Sequence, residues 1–402
     1  MTASGSPLLD TAEALAGLAD EIRQAGCAAI DTEFVWERSY RPVLGVVQVA
    51  TPARSVVIDA VAVSDLSALF PVLQSPEIPV VFHGGTQDLE IFASLMGNPV
   101  QNVVDTQVEA AFLGYGLQVG LGPLLERVLR VQIRKDQTYS DWVRRPLRPE
   151  QIAYALADVR HLLPLHESLR RELRRRGRDA WVEEELRSLA DPARWQPVPD
   201  TDRYRSVKGW QRLDPQAAAI LRALAAWRER TARRLNIRPQ FVASDAVLTA
   251  LAVRPVRDAA ELRGVRGLTL GTVDRHGKGL IAAIEEGLRC PPPDWPRRPA
   301  RTRRPPLPTG LAALLRAAVA VVADREDLAS EVIASARDLE RLIELAAGIE
   351  SEPADARPLP LLHGWRRQLV GDLLLAIARG EIAMRYDPGR REVVGEAFTP
   401  RE

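Results

Sequence analysis

Short apolar runs rich in valine and isoleucine recur through the first hundred residues: "CAAIDTEF" from Cys27, "VLGVVQVAT" from Val43, "SVVIDA" from Ser55, "PVVFHGG" from Pro79 and "NVVDT" from Asn102. Runs of this length, bounded by turn residues, read as strands. The first three follow one another with short connections, which predicts an antiparallel meander. Each of the last two follows a helical pattern, so the expectation is an α/β domain with a mixed sheet. After Pro149 the period changes to that of a helix through "EQIAYALADVRHLLPLHESLRRELRRR". Beyond it the pattern predicts helix only, with no further strand.

Two proline-rich stretches divide the chain, "LADPARWQPVPDTDRY" from Leu189 and "CPPPDWPRRPARTRRPPLP" from Cys290. The expected domains are residues 1–200, 211–290 and 308–388. The two helical blocks read as copies. "VASDAVLTAL" matches "IASARDLERL" with Ser244 and Ser335 at the same place, "ELRGVR" answers "LLHGWR", and "LIAAIEEG" answers "LLLAIARG". Ser335 with Asp338 has the form of a capping box. Three matches in order argue for a duplicated module.

With 402 residues, 46% hydrophobic and 27% charged, the composition is that of a globular protein of two or three domains. The formal net charge of +1 announces no nucleic-acid partner, so such a partner has to be read from local patches. Positive charge is almost entirely arginine, the lysines being Lys135, Lys208 and Lys278. Arg228, Arg233 and Arg234, and the linker run Arg297, Arg298, Arg301, Arg303 and Arg304, are candidates for phosphate contact, although each could equally solvate its own surface. Cys27 and Cys290 have neither a metal-ligand spacing nor a secreted disulfide pattern. The first residues lack the features of a signal peptide, and Gly310–Ala323 is interrupted by Arg316 and too short to span a bilayer. A cytoplasmic protein without a membrane partner is expected.

Candidate chemistry lies in the acids. Asp31 and Glu33 stand two residues apart at the end of a strand, so they share one face, where like charges repel and a cation would relieve them. A turn with a capping aspartate is the alternative reading. Asp88, in "FHGGTQDLEIF", lies just inside a helix that begins as a strand ends, where α/β proteins bind ligands, though an acid also favours any helix N-terminus. Tyr154 and Asp158 are i and i+4 on one helix, so a phenol and a carboxylate reach the same place. Asp59 and Asp105 each follow a strand without a second acid or phenol and are read as turn and cap residues, and His83 as a structural hydrogen-bonder. "GYGLQVGLG" does not follow a strand in a βαβ unit, so no nucleotide cofactor is expected.

Asp31-Thr-Glu33-Phe, His83-Gly-Gly-x-x-Asp88 and Tyr154-x-x-x-Asp158, in that order, resemble the three motifs of the DEDDy exonucleases, which have a ribonuclease H-like fold. "QTYSDWVRRPL" from Gln137 and "TEFVWERSYRPVLGVVQVA" resemble ribonuclease D in particular, and the helical copies are similar to HRDC domains, the second more loosely because it lacks the Trp227-Arg228 pair. The resemblance covers nearly the whole chain. It implies an α/β exonuclease domain followed by two all-α HRDC domains. Asp31, Glu33, Asp88 and Asp158 would hold two divalent ions, Mg²⁺ or Mn²⁺, with Asp31 bridging both and Tyr154 orienting the attacking water. The implied activity is 3′-5′ exoribonuclease trimming of structured RNA such as tRNA precursors, releasing nucleoside 5′-monophosphates. A DNA exonuclease of the same fold and a non-catalytic RNA-binding protein are the alternatives.

Overall fold

The computed structural model describes residues 6–133, 140–296, 308–348, 358–389 and 392–397. The valine-rich runs form strands of one six-stranded sheet: β1 (Leu8–Leu9), β2 (Ala28–Val35), β3 (Val43–Ala50), β4 (Ser55–Asp59), β5 (Val80–Phe82) and β6 (Val103–Asp105), in the order β1-β4-β3-β2-β5-β6. β3 and β4 pair antiparallel, while β1 with β4, β2 with β5 and β5 with β6 pair parallel. The sheet is therefore mixed, and β2, β3 and β4 are neighbours in succession, as their short connections require. β1 carries too few residues to show a pattern. β2 runs on to Val35, so Asp31 and Glu33 lie inside the strand rather than at its end.

Side chains alternate across a strand, and the two faces meet different cores. Ala28, Ile30, Val47, Val49, Ile58 and Val80 face helices α1 (Ala12–Ala25) and α2 (Thr86–Met96), through residues such as Leu18 and Phe92. Ala29, Ala50, Val81 and Val104 face the other way, toward Val159, Leu162 and Leu165. On that second face Val46 and Val57 pack with Trp142, Tyr154 and Ala155. It is covered by α3 (Thr106–Ala111), α4 (Leu121–Leu129), α5 (Pro149–Arg160) and α6 (Leu162–Arg175), with α7 (Asp179–Arg187) following.

The helical blocks repeat element by element. α8 (Pro215–Leu235) and α11 (Thr309–Glu326) end on left-handed residues that are not glycine, Asn236 (φ 49°) and Asp327 (φ 51°). A one-turn helix follows each, and then a serine-capped helix, α9 (Asp245–Val253) or α12 (Ala336–Ala346). Ser244 accepts from the Val247 amide at 3.4 Å. Ser335 accepts from Asp338, whose carboxylate takes the Ser335 amide in return at 3.1 Å, the expected capping box. α10 (Leu270–Arg289) completes the first block and α13 (Asp372–Ala378) belongs to the second.

The expectation that no strand follows Pro149 fails at β7 (Ile382–Asp387) and β8 (Glu392–Ala397), an antiparallel hairpin. Ile382 and Met384, two apart, face the core of the second helical block, while Arg385 between β7's paired residues reaches Glu396 at 3.0 Å. So short an alternation, directly after a helix, is weak in the sequence.

The chain forms two compact units: Met1–Glu33, Leu44–Trp195 and Arg304–Glu402 in one, Phe34–Val43 and Gln196–Arg303 in the other. In the first, the second helical block closes over α7. Trp365 stacks on Trp181 at 5.2 Å between ring centres and meets Phe112 edge-on at 5.1 Å, and its indole N–H donates to Glu185 at 3.1 Å. Buried Arg178 donates to the Phe112 carbonyl at 2.8 Å and to the Glu326 carbonyl. In the second, the segment that follows β2 is held by α8: Tyr40 donates its hydroxyl to Glu229 at 2.8 Å, and Arg233 lies over the Tyr40 ring.

Candidate active site

Asp31 and Glu33 share the β2 face that carries Ala29, and both are partly buried. Asp88 is brought to them by the turn between β5 and α2. Gly84 is left-handed (φ 66°), and a Cβ at Gly85 would stand 2.6 Å from that of Phe82. Only glycine fits both conditions. The two glycine amides donate to Asp105 at 2.9 and 3.0 Å, and Asp105 also caps α3 through the Gln107 amide at 2.9 Å. His83 meets the Thr106 hydroxyl at 2.9 Å and the Val119 carbonyl at 3.0 Å. His83 and Asp105 thus build the loop that carries Asp88, as their sequence reading required.

α5 turns Gln151, Tyr154, Ala155, Asp158 and Val159 inward on one buried face. Trp142 packs 5.9 Å from the Tyr154 ring. The segment ahead of α5 is anchored by Arg145, whose guanidinium takes both oxygens of Asp59 at 2.7 and 2.6 Å and reaches the Gly45 and Trp142 carbonyls, each at 2.8 Å. Asp59 also receives the Val61 and Ala62 amides, the expected turn. Burial works to raise its carboxyl, but Arg145 and the turn amides hold it below the ordinary value.

The acids act on one another. Loss of water, then repulsion from Asp88, Asp158 and Glu33, holds the Asp31 carboxyl well above the ordinary range against a hydrogen bond from the Thr32 backbone. Asp88 is raised too, chiefly by burial, and is opposed by the Thr32 hydroxyl, which donates to it. Asp31 is therefore close enough to feel the other three acids in a poorly hydrated place, where either protons or cations must neutralise the charge. Among the described residues no three acids, histidines or cysteines stand in ligating geometry around one point. All donors of the four acids are carboxylate oxygens, which fits a hard divalent cation of the Mg²⁺ or Mn²⁺ kind.

Three contributors escaped the sequence reading. Thr32 alternates with the acids and so points to the opposite, apolar face, where a buried hydroxyl was the signal that it has a partner. Arg145 was one arginine among many. Gln48 is a lone amide in the apolar run "VVQVA", fully buried on β3 with neither Nε2 nor Oε1 paired among the described residues. Leaving such groups unpaired costs about 1–3 kcal/mol each. The Trp142 indole N–H is likewise buried and unpaired.

Two arginines expected to meet phosphate pair within the chain, one buried and one at the surface. Arg228 is 6% exposed and donates to the Ala243 carbonyl at 3.1 Å and to Asp245 at 2.7 Å. Arg233 pairs with Asp200 at 2.6 Å. Arg234 is exposed, and the linker arginines from Arg297 to Arg304 lie outside the described residues. No helix among the described residues is long and apolar enough to cross a membrane.

A sheet of this order with acids converging from β2, α2 and α5 defines a 3′-5′ exonuclease, and a family model described as "3'-5' exonuclease" matches residues 8–174. The models "HRDC domain" and "Ribonuclease D, C-terminal HRDC domain" match residues 217–284 and 310–374. Ribonuclease D of Gluconacetobacter diazotrophicus is 37% identical over 95% of this chain and 95% of its own, and that of Acidiphilium cryptum 39% identical over 96% of each. The crystal structure of Escherichia coli RNase D superposes with a TM-score of 0.81 at 29% identity, covering 92% of this chain and 98% of that one. The chain belongs to the ribonuclease D family and is a 3′-5′ exoribonuclease, with the mixed-sheet exonuclease domain and helical HRDC domains expected from its sequence.

Proposed function

We propose that the enzyme trims the 3′ ends of structured RNA, tRNA precursors among them, in the cytoplasm, releasing nucleoside 5′-monophosphates. The observation that carries the catalytic part is the convergence of Asp31, Glu33, Asp88 and Asp158, with the Asp31 carboxyl raised well above its ordinary value first by burial and then by its three neighbours. The substrate class is supported by the E. coli relative, described as an exoribonuclease involved in structured RNA processing. Asp31 would bridge two divalent cations, Glu33 and Asp158 would complete the first, and Asp88 would support the second, partly through water. Bound there, such cations activate water and stabilise the leaving oxygen of a phosphodiester. Tyr154, on the helix face of Asp158, would orient the water through its hydroxyl, while its ring stays packed on Trp142. We assign the exonuclease domain to residues 1–200 and the HRDC domains to 211–290 and 308–388.

The test is hydrolysis of a tRNA precursor and of matched single-stranded RNA and DNA, with Mg²⁺ and with EDTA, and with products resolved by chromatography. The reading requires 5′-monophosphates from RNA that disappear in EDTA. Equal turnover of DNA would overturn the substrate assignment, and EDTA-resistant turnover the metal assignment.

A further inference from the structure

Unpaired buried side-chain groups are rare in folded proteins, and each calls for a reason. Here the described residues carry few, on Gln48, Trp142 and Arg228, since Arg203 Nε lies 3.2 Å from the Glu229 carboxylate. For Arg228 the explanation is ready, since its other nitrogens are bonded. Gln48 is different, because its whole carboxamide is unpaired at 0% exposure.

Its place on the sheet is fixed by alternation. On β3, Val47 and Val49 face the core of α1 and α2, so Val46, Gln48 and Ala50 face the other side. On β2, Ala28 and Ile30 face the first core, so Ala29, Asp31 and Glu33 share the face of Gln48. β2 and β3 are adjacent strands. α5 covers this face: Val46 packs in one cluster with Tyr154 and Ala155, and Ala50 in another with Val159. Gln48, between Val46 and Ala50, pairs across the ladder with Val57, which packs with Tyr154 and Ala155 of α5, and it lies on the strand beside the one that carries Asp31. An apolar residue would fill this position without the desolvation penalty.

We propose that Gln48 is a positioning residue of the exonuclease: its carboxamide is held unpaired so that its N–H can fix the Asp158 carboxylate relative to Asp31 when the acids close on cations. The inference rests on the metal-site reading above. It accounts for a polar group kept at a position where packing alone favours an aliphatic one. Donors that orient ligating carboxylates commonly contribute ten- to hundredfold to metal affinity or rate.

The test is Gln48→Met, which keeps the length and volume of the side chain and removes both polar atoms. In EDTA its melting temperature should rise by about 2–4 °C, because an unpaired group is lost. With Mn²⁺, kcat on an RNA substrate should fall at least about tenfold with KM within about twofold. The Mn²⁺ concentration giving half the thermal shift should rise by a similar factor, a readout independent of turnover. A variant that melts lower than the parent in EDTA would make Gln48 a structural residue and overturn the proposal. So would parental kcat and parental Mn²⁺ midpoint. Were the parent itself to show no Mn²⁺-dependent shift, the metal-site reading would be the one to fail, which the parental titration separates from a failure specific to Gln48.

Discussion

Thr32 donates its hydroxyl hydrogen bond to Asp88, tying the first acidic strand to the helix that carries the second acidic motif. The residue between Asp31 and Glu33 faces away from them, yet it sets where the third acid stands. Thr32→Val keeps the shape and deletes the donor. A loss of about 1.5–3 kcal/mol in unfolding stability is expected, as for hydrogen bonds to charged groups. The Mg²⁺ requirement should rise about ten- to hundredfold. A titration of activity against Mg²⁺, beside denaturant unfolding, checks both.

Asp31→Asn should abolish turnover to within background and leave the fold intact. Its effect on stability in EDTA depends on pH with a definite sign. The Asp31 carboxyl is raised in the folded state, so the folded chain binds more protons than the unfolded one, and its stability falls as pH rises above the unfolded value near 4. The asparagine does not titrate. At pH 7 the variant should therefore melt above the parent, and the gap should close on going down to pH 4. Melting curves across that range in EDTA would show the convergence.

Tyr154→Phe should lower the rate on the order of a hundredfold, within the range of positioned acid, base and water-orienting groups. The ring stays in its place against Trp142, so melting temperature and Mn²⁺ affinity should match the parent. A collapse of metal affinity at an unchanged rate per bound metal would contradict the role given to the hydroxyl.

A chain cut after residue 200 retains all four acids and Tyr154 but loses the partners of α7. Phe112, Trp181 and Arg178 would face water instead of Trp365 and the Glu326 carbonyl. Phe34–Val43 would lose α8. The fragment should melt well below the full chain, be cleaved faster by proteases and turn over RNA only at low temperature. Parallel melting and limited proteolysis of the two proteins decide this.

The acidic strand was legible because period-two alternation places Asp31 and Glu33 together whatever the strand pairs with. Asp88 and Asp158 were legible as acids beside turn and helix signals that depend only on neighbours in sequence. The serine caps at Ser244 and Ser335 are local in the same way. What sequence could not supply is partnership across distance. Arg228 looks the same on paper whether it faces phosphate or Asp245, and the capture of Phe34–Val43 by α8 joins residues about two hundred apart through contacts such as Tyr40 with Glu229. Gln48 was visible as a polar break in an apolar run, but its meaning needs the helix above it.

The unit that holds the acids closes around Trp365 and the apolar core of Leu361, Val370 and Ile377. During synthesis, at about 5–20 residues per second, the strands of the sheet leave the ribosome long before these side chains exist. The acidic strand is thus made early but receives its full support only when residues near 377 have emerged.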